Sequence, residues 1–201
     1  MAVTMIRYEA SQGSPHLMSG ERTCTQLQPG EEPEALRFLA QRPIHTVVVA
    51  SLMRDNGAVS PNNRGTFYVC RNGAKKIEGI ALIGHATIVE ARTDHAVAAF
   101  AQLAAHSQHA YLIRGERHTV EVFWQHYCEG GQQARLVCRE MLFEKTERTL
   151  PFEPVPELRL ATLEEVDHVI AINAQLILEE RDCDPRQADP AGFRSRIEHR
   201  I

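Results

Sequence analysis

Between residues 65 and 91 the apolar positions fall in short β-type runs at 65–70, 77–83 and 87–91. The first two flank Arg71-Asn72-Gly73-Ala74-Lys75-Lys76, and an Asn-Gly pair between two such runs predicts an antiparallel hairpin. The third run adds a strand. Around this block the period changes to that of helices. Residues 34–40 have helical character and stop ahead of Pro43. The triplet Val47-Val48-Val49 has strand character. Ile44, Val48, Ser51 and Leu52 nevertheless share one helical face, and Asn56-Gly57 supplies a stop, so a helix is expected. Thr93 or Asp94 caps a helix with Val97, Phe100, Ala101 and Ala104 on one side. A short strand at 110–113 ends at Arg114-Gly115. A helix over 116–128 then carries Val120, Phe123, Trp124 and Tyr127, Gly130-Gly131 close it, and a long strand is predicted over 135–143.

Residues 1–33 are polar and broken by Gly13, Pro15, Gly20, Pro29, Gly30 and Pro33, which predicts loop, or an arm laid against the domain. After residue 150 the pattern breaks and restarts. Pro151, Pro154 and Pro156 mark a linker over 151–157. Leu158-Arg159-Leu160 is a strand candidate, and Thr162-Leu163-Glu164-Glu165 forms a capping box that opens a helix with Val166, Val169, Ile170 and Ile177. Asp189-Pro190 caps a last helix whose Phe193, Ile197 and Ile201 make a stripe at helical spacing. With one strand, this second unit has no sheet on which to bury that stripe. The stripe is therefore expected to dock on the first domain or to be poorly ordered.

A length of 201 residues leaves room for one domain and part of another. The 43% hydrophobic and 24% charged content is globular. A net charge of −4 with scattered Lys and Arg argues against nucleic acid as a partner. No apolar run approaches the roughly 20 residues of a spanning helix, and no secretory signal is visible. Five cysteines, odd in number and widely spaced, point to reduced thiols and a cytoplasmic protein.

The stretches Arg42-Pro43-Ile44-His45-Thr46, Asn63-Arg64-Gly65-Thr66-Phe67-Tyr68, Ala81-Leu82-Ile83-Gly84-His85-Ala86-Thr87, Leu136-Val137-Cys138-Arg139-Glu140 and Asp189-Pro190-Ala191-Gly192-Phe193, together with the element order, resemble the GNAT (GCN5-related N-acetyltransferase) family. They look like an uncharacterised N-terminal domain of bacterial tandem GNAT proteins. The resemblance implies an α/β (α+β) fold in which a mixed, mostly antiparallel sheet is flanked by helices. It divides the chain into an arm (1–33), a degenerate GNAT-like domain (34–150), the linker (151–157) and an incomplete second GNAT unit (158–201). It implies that the full-length protein moves an acetyl group from acetyl-CoA to a small-molecule amine. For this chain no cofactor is expected, and the alternative is a non-catalytic small-ligand-binding or scaffolding module.

That expectation rests on one junction. The family binds the CoA diphosphate on a glycine-rich loop before a helix. Here the corresponding Val89-Glu90-Ala91-Arg92-Thr93-Asp94-His95-Ala96 contains no glycine, and Glu90 and Asp94 bring negative charge. Phe123-Trp124 stands where the family often has a catalytic tyrosine, and Tyr127, one turn on, is read with Trp124 as packing on the sheet. No catalytic residue is assigned. Arg114, Glu116 and His118, at the carboxyl end of a strand opening a helix, are candidates for a small anionic ligand. Glu179, Glu180 and Asp182 lie in an acidic loop that corresponds in the family to the acceptor pocket, and an exposed loop without a substrate role fits them equally well. The ten histidines show no metal-ligand spacing, so no metal is expected. Gly130-Gly131-Gln132, a tripeptide also found in peptide-chain release factors, is read as a turn, and Cys70 and Cys138 as thiols within apolar strands.

Overall fold

The predicted hairpin forms the middle of the sheet. In the computed structural model, which describes residues 2–7, 23–107, 110, 112–145 and 155–201, seven strands make one sheet. They are β1 (Ala2–Arg7), β2 (Thr23–Gln26), β3 (Gly65–Arg71), β4 (Ile77–Gly84), β5 (Ala86–Ala91), β6 (Leu112–Glu116) and β7 (Ala134–Glu140). The spatial order is β2-β3-β4-β5-β6-β1-β7. Every neighbouring pair is antiparallel except β5 and β6, which run parallel. The architecture is thus mixed α/β with a mostly antiparallel sheet.

Four helices accompany the sheet: α1 (Glu32–Leu39), α2 (Pro43–Asn56), α3 (Asp94–Ala105) and α4 (Arg117–Tyr127). Alternation along the strands sends side chains to two cores. Phe67, Val69, Ile80 and Leu82 pack with Phe38, Leu39, Val49 and Met53 of α1 and α2. On the opposite face Cys70, Ala81, Ile83, Val89 and Ile113 pack with Phe100, Ala101, Val120 and Phe123 of α3 and α4. Tyr127 is fully buried there and donates its hydroxyl to the Ala110 carbonyl at 3.2 Å. Trp124 lies beside it, so both aromatics pack as expected.

Several local expectations change. Residues 2–7 and 23–26 of the arm are strands of the sheet, and β1 is inserted between β6 and β7. The hairpin turn uses the Asn72 side chain, whose Oδ1 accepts from Ala74 and Lys76 N–H, and the positive φ falls on Lys75 instead of Gly73. The last strand stops at Glu140, leaving Met141, Leu142 and Phe143 exposed. At Gly131 the left-handed backbone matches the turn reading of the glycine pair.

The segment 145–201 forms a separate unit. Pro151 and Pro154 of the expected linker lie outside the described residues. Leu158–Leu160 is not a strand, and among the described residues this unit holds only helices: a short 3-10 turn, α5 (Val166–Arg181), α6 (Pro185–Ala188) and α7 (Pro190–Glu198). The capping box forms: Glu165 accepts from Thr162 N–H at 2.9 Å. The Asp189 cap holds Gly192 N–H at 3.1 Å. The stripe of α7 needs neither a sheet nor the first unit, because Phe193 and Ile197 are buried with Val166 and Ala174 of α5.

Candidate functional site

Strands β5 and β6 pair at Ala86/Leu112, Thr87/Ile113 and Ile88/Arg114, and no further. Beyond that point the two carboxyl ends part, and each feeds a helix. α/β sheets form ligand crevices at such places. The crevice here has a volume of about 470 Å³, and its lining includes Arg42, Arg92, Thr93, Asp94, Glu116 and His118.

Its floor is an ion network. Glu90, the penultimate residue of β5, is only 6% exposed. Arg42, just ahead of α2, reaches it with Nη1 at 3.3 Å and holds Glu116 with Nη2 at 2.5 Å. Arg92 also binds Glu90, and its guanidinium lies 4.7 Å from the Phe38 ring centroid. Two arginines therefore neutralise a carboxylate that could not otherwise sit in the interior. The negative charge that Glu90 was expected to bring to the junction is thus balanced within the fold. Asp94 does remain open to water, 3.3 Å from His118 Nε2, and solvent screens that pair.

Arg114, Glu116 and His118 are not one cluster. They turn to three partners, Glu140, Arg42 and Asp94 respectively, and only Glu116 and His118 line the crevice. Arg114 crosses toward β7, meeting Glu140 at 2.6 Å. The acidic loop is largely helix: Glu179 and Glu180 belong to the last turn of α5, and Asp182 is its left-handed cap. All three are exposed. Among the described residues no three His, Cys, Asp or Glu side chains converge on a metal-sized space. Likewise, no helix among them is long and apolar enough to cross a membrane.

No family model, curated protein or solved structure matches the chain. The site is therefore read from its own geometry. The residues that sequence reasoning did not single out are Arg42 and Arg92. A signal existed for Arg92, the one cation at the strand-to-helix junction. Arg42 is 48 residues from Glu90 and 74 from Glu116, so its role appears only in the folded chain.

The network has an acid-side consequence. The Arg42 hydrogen bond holds the Glu116 carboxyl below its ordinary value, and the Arg71 hydrogen bond does the same to Glu34. A lowered folded-state pKa contributes stability above the unfolded value, near about 4.3, that is lost as pH falls through the lowered one. The denaturant midpoint is expected to stay level from pH 7 to 5 and to drop below pH 4. Urea titrations at pH 7, 5, 4 and 3 check this. An Arg42→Ala variant should lose less stability between pH 5 and 3 than the unaltered chain.

Proposed function

We propose that this chain is the N-terminal portion of a GNAT-type N-acetyltransferase, and that its seven-stranded unit is a non-catalytic small-ligand-binding or scaffolding module. In this reading the full-length protein carries acetyl from acetyl-CoA to a small-molecule amine, and the present unit takes no part in that transfer. The sequence resemblance supports the family. The observation that carries the non-catalytic role is the state of the β5-α3 junction.

A CoA diphosphate needs bare backbone donors near a helix N-terminus. At this junction three of the backbone donors are engaged. Arg92 N–H donates to the Glu78 carbonyl at 2.8 Å and Val97 N–H to the Thr93 carbonyl at 3.2 Å. Ala96 N–H donates to Thr93 Oγ1 at 3.3 Å. The crevice in front of them is lined by Arg42 and Arg92, both already committed to Glu90, and by the carboxylates of Asp94 and Glu116. These residues do not fit a diphosphate, and no transfer step is derived through one.

Isothermal calorimetry of the full 201-residue chain with acetyl-CoA tests the reading. The expected result is no saturable heat at concentrations of ligand up to about 1 mM, weaker than about −4 kcal/mol of binding. Micromolar binding that is lost on Thr93→Arg substitution would overturn it.

A further inference from the structure

We propose that Cys24 and Cys70 are a disulfide-forming pair, closed and reopened by exchange with a small-molecule disulfide of the glutathione type. The inference stands apart from the crevice and from the proposed family. Cys24 of β2 lies directly opposite Cys70 of β3 in an antiparallel ladder. Leu27 N–H donates to the Phe67 carbonyl at 2.8 Å, which marks 27/67 as a hydrogen-bonded pair. Pairs alternate along such a ladder, so 25/69 and 23/71 are of the same kind, while 26/68 and 24/70 are non-hydrogen-bonded. In that class the Cα atoms stand about 4.5 Å apart and the side chains are at their closest. Disulfides accept Cα separations from about 4.4 to 6.8 Å, so the bond needs no movement of the strands.

Both side chains lie on the face toward α3, against the same apolar cluster. The two thiols hydrogen-bond each other, and neither is in a disulfide. They differ in access: Cys70 is 1% exposed, whereas Cys24 is half-buried at the sheet's edge strand. Access sets the order of events. Cys24 loses its proton to water, and its thiolate attacks one sulfur of the small disulfide, releasing one small thiolate. Cys70 then gives up its proton, and its thiolate attacks the Cys24 sulfur and expels the second small thiolate. The two released protons match the two thiolates, so two protein thiols are oxidised and one disulfide is reduced to two thiols. The product ties the four-residue edge strand β2 to β3. Excess reduced thiol runs the sequence backward.

The Cys70 hydrogen bond, then burial, raise the Cys24 thiol above its ordinary value. Thiolate is therefore scarce at neutral pH, and closure is slow but steeply accelerated by base.

The test uses the full chain with excess oxidised glutathione at several pH values, quenched in acid, digested without reductant and read by mass spectrometry. The expected product is one peptide pair joined through Cys24 and Cys70, two hydrogens lighter than the reduced peptides together. Its rate of formation should rise about tenfold per pH unit from 7 to 9. In Cys70→Ser, one glutathione should remain on Cys24. Glutathione retained on Cys24 in the unaltered chain overturns the proposal. So does a bond from Cys24 to Cys128, Cys138 or Cys183, or both thiols surviving unchanged at pH 9. The readout on the unaltered chain does not depend on the variant folding.

Discussion

Arg42→Ala is expected to destabilise the seven-stranded unit by about 2–3 kcal/mol, read as a lower urea midpoint at unchanged slope. Glu90 is 6% exposed, and its carboxylate is shared by Arg42 and Arg92. Removing one partner of a buried pair costs about 3–5 kcal/mol when the remaining charge is left alone. Here Arg92 stays, and Arg42 is itself partly open to water, so the loss is smaller. Arg42→Lys is expected to recover less than half, because one ammonium cannot reproduce a fork that reaches Glu90 and Glu116 at once. Adding Glu90→Gln to Arg42→Ala should recover most of the deficit, since a neutral amide needs no counter-charge. Arg117→Ala, which removes an exposed pair with Glu121 one turn along α4, serves as the reference and should leave the urea midpoint nearly unchanged. Equal losses in Arg42→Ala and Arg117→Ala would mean that the crevice floor is an ordinary surface ion pair.

The same network shows why parts of the site could be read along the chain and others could not. Helix caps are local. Thr93, Glu165 and Asp189 each accept from a backbone N–H three residues away, and each cap appears where the residue pattern puts it. Strand pairing is not local. Nothing near Ala2–Arg7 tells that it enters the sheet between β6 and β7, more than a hundred residues away in sequence. Its short apolar content, Val3, Met5 and Ile6, was the available hint, but prolines and glycines elsewhere in 1–33 hid it. Residues 158–160 fail in the opposite sense. They have strand composition, but their own unit holds no strand among the described residues, so no ladder forms. Charge reading fails for a related reason. Glu90 looked like negative charge set against a ligand, while one of its two counter-charges, Arg42, arrives from the start of α2. The Cys24/Cys70 register was equally invisible, since opposition across a ladder depends on which residues pair and not on spacing.

Gly84→Val is expected to cost on the order of 3 kcal/mol or more, and its cause is backbone, not side-chain, crowding. Gly84 closes β4 opposite Gly65, which opens β3. A Cβ on Gly84 would lie 2.3 Å from the Arg64 carbonyl oxygen and 2.4 Å from Gly65 Cα. Neither atom can rotate away, because the Arg64 carbonyl accepts from His85 N–H at 3.0 Å and Arg64 already holds a left-handed φ of 52°. The corner also fixes β5. Thr87 Oγ1 donates to the Gly84 carbonyl at 3.1 Å, and the next residues, Ala86 and Thr87, begin the parallel pairing with β6. Displacing the corner should therefore shift the start of β5 and, with it, the point at which β5 and β6 part. Two readouts separate this from simple overpacking. The urea midpoint should fall, and hydrogen exchange in Gly84→Val should speed up in β5 and β6 more than in α1 or α2. Gly57→Ala is the contrast: its φ of 76° is strained for any other residue, yet the nearest atom to a Cβ there is a Glu32 carboxylate oxygen at 3.8 Å. That substitution is expected to cost about 1 kcal/mol and to leave exchange in β5 and β6 unchanged. Uniform acceleration across all elements in Gly84→Val would show that the corner carries no special hold on the crevice.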